Sequence, residues 1–136
     1  MPVISIIDDD ESVREGTMDL FKSMGFITVA FPCAADFLSS DHLHDTSCLI
    51  ADVQMPGMTG FELHNRLVRS GNIIPTILIT AYPDDGDQAR ALQAGVICYL
   101  VKPFNYNDLL ACIGLALERR EATGRLSAHR ARIVTD

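Results

Sequence analysis

The sequence predicts one α/β domain built on a parallel five-stranded sheet with helices on both faces. Short apolar runs rich in β-branched residues alternate with longer amphipathic segments, the pattern of repeated βα units. Four of the five apolar runs are almost continuously hydrophobic, as strands covered on both faces must be. The chain has 136 residues, and one hydrophobic core serves about 100–200. With 48% hydrophobic and 21% charged residues, the composition excludes the disordered and fibrous classes.

The expected strands are Val3 to Ile7, Phe26 to Phe31, Cys48 to Ala51, Thr76 to Ile79 and Ile97 to Val101, all but the second being candidates for burial on both faces. Asp10 or Ser12 can cap a first helix running to about Met24, with Val13, Met18, Leu20, Phe21 and Met24 as its apolar stripe and Gly25 as its stop. Ala34 to Ser39 reads as a short second helix. Thr59 opens a third, with Phe61, Leu63, Leu67 and Val68 inward and Gly71 closing it. Asp84 to Ala94 makes a fourth, ended by Gly95, and Asn107 to about Arg120 a fifth. Right-handed crossovers turn five such units into an open three-layer sandwich. In these sheets ligands bind at the carboxyl ends of the strands, beside the point where strand order reverses.

That rule directs attention to the residues at the end of each buried strand. The first ends in Asp8, Asp9 and Asp10, the third in Asp52, the fourth in Thr80 and the fifth in Lys102. Singly, these residues could be a helix cap, a loop residue, a strand end and a surface cation. Jointly they deliver acids, a hydroxyl and an ammonium to one edge of the sheet. Carboxylates gathered there repel one another unless a cation joins them or their pKa values rise. Few carboxylates, an open pocket and a phosphate substrate favour Mg²⁺. Lys102, Thr80 and the ion can hold the equatorial oxygens of a transferring phosphoryl group, and Asp52 is a competent nucleophile for forming an acyl phosphate.

Charge is unevenly spread over the net −7. Residues 1–118 hold 16 acids and 6 bases, a balance of −10, whereas residues 119–136 hold 5 arginines and 2 acids, a balance of +3. The first part should repel nucleic acid and attract divalent cations or basic partner surfaces. Cys33, Cys48, Cys98 and Cys112 form no CxxC pair and read as reduced core residues. No leader opens the chain, and no apolar run reaches the roughly 18 residues that cross a bilayer, so the expectation is cytoplasmic with no membrane contact. His42 and His44 lack a third ligand nearby and read as a solvated loop; His64 reads as a surface residue of the third helix, His129 as part of the tail, and Met55 and Met58 as loop packing.

Residues 3 to 118 resemble the receiver domain of bacterial two-component response regulators. "SIIDDDESVRE" resembles its first strand and acidic pair, "LIADVQMPGMTGFEL" its phosphoacceptor strand and loop, "PTILITAY" its switch strand and "AGVICYLVKPF" its last strand with Lys-Pro. The resemblance implies a flavodoxin-like sheet of order 2-1-3-4-5. It implies phosphorylation of Asp52 by a sensor histidine kinase, Mg²⁺ held by Asp8, Asp9, Asp52 and the backbone carbonyl of Gln54, and no activity on any separate substrate. Asp9 is the expected direct ligand of the acidic pair. Thr80 is implied as the switch hydroxyl, Lys102 and Ala81 as phosphate-side residues, Tyr99 as the aromatic that turns inward when Thr80 moves, and Lys102–Pro103 as a cis peptide. Phosphorylation is then expected to favour a homodimer through the face of the fourth helix, last strand and fifth helix.

"DDDESVR" and "ITAYPD" are similar to receivers of the FixJ and NarL type, which precede a helix-turn-helix domain. The Arg-rich residues 119–136 fit a helix extension or linker towards such a domain, too short to contain one, so DNA is contacted only through an output domain outside this chain. A truncated transcription regulator and a stand-alone receiver both remain open. An aspartyl-phosphate hydrolase would usually place a second acid where Gln54 stands, and a flavodoxin-like cofactor binder would need a Gly-rich loop after the first strand. A pseudo-receiver that only binds partners is disfavoured by the complete set of site residues. Two departures from the family stand out: Pro83 with three acids, Asp84, Asp85 and Asp87, after the switch strand, and Gln54 and Tyr82 flanking the site, where they should tune access of water.

Overall fold

The computed structural model describes residues 2–135; for Asp85 and residues 121–135 it describes the backbone alone, so the side chains of Asp85, His129 and the arginines past Arg120 lie outside the described residues. The elements run β1 (Val3–Ile7), α1 (Glu11–Ser23), β2 (Ile27–Phe31), α2 (Ala34–Leu38), β3 (Cys48–Asp52), α3 (Gly60–Arg69), β4 (Thr76–Thr80), α4 (Asp85–Gln93), β5 (Cys98–Val101) and α5 (Tyr106–Thr135). All strand pairs are parallel, in the order β2-β1-β3-β4-β5. The strand order reverses between β1 and β3, where the first crossover goes one way and the later ones the other.

Alternation along the strands sorts side chains into two cores. Ile7, Leu49, Ala51 and Leu78 face α2, α3 and α4, joined there by Phe37, Leu63, Leu67 and Ala91. Ile4, Ile6, Ile50, Ile77 and Ile79 face α1 and α5, joined by Phe21, Leu109 and Ile113. β3 and β4 are buried along their whole length. The expectation of two-sided burial fails for β5, whose Val101 is 40% exposed. β5 has a neighbour on one side only, so its far edge meets no strand.

The helix starts follow local chemistry. Asp10 accepts from the Ser12 and Val13 N–H groups at the start of α1, and Thr59 with Glu62 closes a reciprocal capping box on α3; each such cap contributes about 0.5–2 kcal/mol. Asp84, expected inside α4, is its cap and accepts from Gly86 and Asp87 N–H. That accounts for one of the acids after Pro83. α5 continues to Thr135, well past the expected end at Arg120, because the Ala-, Arg- and Leu-rich segment favours helix.

Several side chains face the other way from expectation. Met24 and Val68 are nearly half exposed, while Thr17 and His64 are buried. In α3 the inward set is Gly60, Leu63, His64 and Leu67, a strict i, i+3, i+4, i+7 row, and Val68 lies one residue off it. The expectation of a surface His64 is thus corrected: the residue is 5% exposed and burial pulls its pKa below the ordinary imidazole value. A lowered folded-state pKa gives stability present above the unfolded value of 6.5 and lost as pH falls through the folded one. His64→Leu is therefore expected to flatten the fall in urea-unfolding free energy between neutral and mildly acidic pH, and an unchanged slope would show that another group titrates there.

All four cysteines are free. Burial pushes the thiols of Cys48 and Cys112 up to about 12, which keeps them protonated at neutral pH; Cys33 and Cys98 are half-buried. Among the described residues no helix is long and apolar enough to cross a membrane.

Candidate functional site

Strand register assembles the site. Ile7 pairs with Ala51, so the next residues, Asp8 and Asp52, emerge side by side at the carboxyl edge. Asp52 pairs with Ile79 and Thr80 with Val101, which brings Thr80 and then Lys102 to the same edge. One carboxylate oxygen from each of Asp8, Asp9 and Asp52 lies within 4.8 Å of the others. Asp8 and Asp52 are 6% and 8% exposed, whereas Asp9 is open to solvent.

Lys102 stands across from this group, its Nζ 3.1 Å from Asp52 Oδ2 and 3.4 Å from Asp8 Oδ2. The Lys102–Pro103 peptide that carries it is cis. Burial works against the Lys102 charge, but the bond to Asp52 and the charges of Asp8 and Asp52 outweigh it and hold the ammonium above its ordinary pKa. Burial raises the Asp8 pKa, opposed by the Asp10 N–H that donates to its Oδ1 and by Lys102, and reinforced by the negative charge of Asp52. Three carboxylates share one ammonium, leaving an excess of negative charge on hard oxygen donors. A small divalent cation fits that donor set.

Each remaining polar group has a defined place. Asp52 Oδ1 accepts from the Gln54 N–H at 3.0 Å. Thr80 is fully buried and donates to Gln54 Oε1 at 2.7 Å, while the Tyr82 N–H donates to Thr80 Oγ1 at 3.0 Å. Ala81 is exposed and, with Lys102, Pro103 and Phe104, lines a hollow beside the carboxylates. A cavity of about 760 Å³ between α3 and α4 touches the site only through Val53, Gln54 and Met55. The chemistry resides with the carboxylates.

Tyr99 packs inside in this structure, its ring 8% exposed and stacked on Phe61 at 6.2 Å between centroids and 24° between planes. The ring stands inward here while Thr80 donates to Gln54 Oε1. Burial raises the pKa of the Tyr99 hydroxyl, opposed by the adjacent Asp84 backbone and Thr80 side chain, although among the described residues the hydroxyl meets full hydrogen-bond geometry with neither. Sequence reasoning also missed Arg14, whose guanidinium donates to the Asp8 carbonyl at 2.8 Å and steadies the loop that carries the acids. Its place one helical turn into α1 was the available signal. Nothing in the sequence indicated the Gln54–Thr80 bond.

A cation-ready acidic pocket facing an ammonium at the reversal point of a parallel α/β sheet, where such folds bind their ligands, fits a phosphate-handling class of protein. Residues 4–114 match the family model described as the response regulator receiver domain. Nodulation protein W of Bradyrhizobium diazoefficiens is 37% identical over 117 residues, 86% of this chain and 52% of that protein. The transcriptional regulatory protein FixJ of Azorhizobium caulinodans is 33% identical over 122 residues, 90% of this chain and 58% of that protein. The solved structure of the response regulator StyR superposes with a TM-score of 0.90 at 36% identity, covering 98% of this chain and 68% of that one. The chain belongs to the response regulator receiver domain family. It spans little more than half the length of these two curated relatives.

Proposed function

We propose that the chain is the phosphoryl-accepting regulatory part of a DNA-binding transcription regulator, with Asp52 as the acceptor. The observation that carries the reading is the single convergence point of Asp52, Asp8, Asp9 and Lys102, residues from three different strand ends. A carboxylate oxygen of Asp52 attacks the phosphorus of a phosphohistidine on a sensor histidine kinase; the P–O bond forms as the P–N bond breaks, and the departing imidazole takes a proton. Mg²⁺, held by Asp8, Asp9, Asp52 and the Gln54 backbone carbonyl, would supply the charge that lets two anions meet. Lys102 neutralises one phosphoryl oxygen, and Thr80 with the adjoining Ala81 backbone takes the others. The domain acts on no separate substrate; it catalyses only the gain and loss of its own phosphoryl group.

Residues 1–118 then form the receiver, and the Arg-rich residues 119–136, helical as far as Thr135, lead towards an output domain that contacts DNA. Leu92 in α4, Val101 in β5 and Tyr106 in α5 are 40–49% exposed. That apolar surface supports a homodimer through α4, β5 and α5 in the phosphorylated state, since dimerisation driven by phosphorylation needs a face whose affinity differs between two states. A cytoplasmic location follows from the kinase and DNA partners of this reading.

Incubation with Mg²⁺ and acetyl phosphate is expected to add one phosphoryl group by intact mass, labile to hydroxylamine, and none in Asp52→Ala or in the presence of EDTA. Equal labelling of Asp52→Ala would defeat the assignment.

A further inference from the structure

Thr80 has a single proton to give. It goes to Gln54 Oε1 at 2.7 Å, and the Tyr82 N–H occupies one lone pair of the same hydroxyl at 3.0 Å. Gln54 is itself tied to the acceptor carboxylate, since its N–H donates to Asp52 Oδ1 at 3.0 Å. The hydroxyl is thus held by the side chain of the residue whose backbone holds Asp52. Tyr99 Oη, a second polar side-chain atom beside Thr80, meets full hydrogen-bond geometry with no partner among the described residues. Among the described residues Gln54 is the acceptor of the Thr80 proton.

We propose that Gln54 is a positioning residue that latches Thr80 away from the phosphoryl site, so that Thr80 can answer a group on Asp52 only by giving up its bond to Gln54. The proposal rests on the reading of Asp52 as phosphoacceptor and Thr80 as its answering hydroxyl. Because the Gln54 side chain is exposed, water can replace it when the bond breaks, and the latch biases the switch instead of blocking it. A net contribution of one neutral hydrogen bond corresponds to a change in affinity of about two- to ten-fold. The latch also explains how Tyr99 stands inward while Thr80 remains unengaged: aromatic stacking on Phe61 holds the ring, and Gln54 holds the hydroxyl, through separate contacts.

Beryllofluoride with Mg²⁺, a mimic of an aspartyl phosphate, is titrated into the wild-type chain and into Gln54→Met, which keeps the side-chain length and removes the acceptor. Gln54→Met is expected to bind the mimic tighter by about two- to ten-fold, and to shift the Tyr82 amide resonance before any mimic is added, because that N–H rests on the released hydroxyl. The gain should persist when Thr80→Ser is the background and vanish in Thr80→Ala, since a positional effect needs the hydroxyl. An unchanged affinity, or the same gain in Thr80→Ala as in the wild type, overturns the latch while leaving Asp52 as acceptor. Failure of the wild type to take up beryllofluoride, or uptake unaltered by Asp52→Asn, overturns the phosphoacceptor reading and the latch with it.

Discussion

Lys102→Ala is expected to slow phosphorylation by acetyl phosphate by roughly 10²- to 10³-fold, the usual loss when one charge-stabilising donor is removed from a transition state. The ammonium is the positive group of the pocket, 3.1 Å from Asp52 and 3.4 Å from Asp8. Its removal exposes the entering phosphoryl oxygens to both carboxylates. The same substitution should tighten divalent cation binding, because one competing positive charge has left the acidic group. Opposite signs for the two measurements distinguish an electrostatic role from general damage, which would weaken both. A variant that phosphorylates at the wild-type rate would show that Lys102 stabilises only the resting carboxylates. Asp8, deprived of the ammonium that lowers its pKa, should also titrate at higher pH in this variant, measurable by carboxyl NMR.

Gly60→Ala carries the second large effect, and it acts through the backbone. A Cβ at Gly60 would lie 2.8 Å from the Asp52 carbonyl oxygen, 3.0 Å from Leu78 Cδ2 and 3.2 Å from Val53 Cα. Alanine normally gains up to about 1 kcal/mol over glycine inside a helix, and less at a first helical position such as this. Overpacking against rigid neighbours costs about 1–3 kcal/mol. The clash should win, because the closest atom is the main-chain carbonyl oxygen of Asp52, which cannot turn aside as the end of the Leu78 side chain could. Urea unfolding is expected to show net destabilisation at unchanged slope. Phosphorylation should slow as well, since the atoms that must give way belong to Asp52 and Val53. Unaltered stability and rate would mean that α3 slides outward at little cost.

The framework of the fold was readable because the strands obey a simple rule. Buried parallel strands must be apolar along their length, so β1, β3 and β4 announce themselves, and the polar residue closing each one marks the carboxyl edge. Asp8, Asp52, Thr80 and Lys102 were recognisable as a set for that reason. Helix faces were less legible where one residue decides the phase. In α3, Leu63 and Leu67 set a row that includes His64, yet Val68 is the more hydrophobic neighbour, and choosing by hydrophobicity turned both the wrong way. In α1 the small, β-branched Thr17 is buried, whereas Met24, just past the end of the helix, is 47% exposed. β5 looked like an interior strand because hydrophobicity alone carries no information about which strand comes last in the sheet.

Sequence by itself determined the βα alternation, the strand ends and the chemical identity of the groups at one edge, because these depend on local pattern and on the order of residues along the chain. Tertiary structure alone decided who touches whom across that edge: register placed Asp8 beside Asp52, packing on Phe61 drew Tyr99 inside, and the Gln54 side chain, rather than any group on Asp52, received the Thr80 proton. Such contacts join residues distant in sequence through single hydrogen bonds and ring stackings, whose partners no local periodicity encodes.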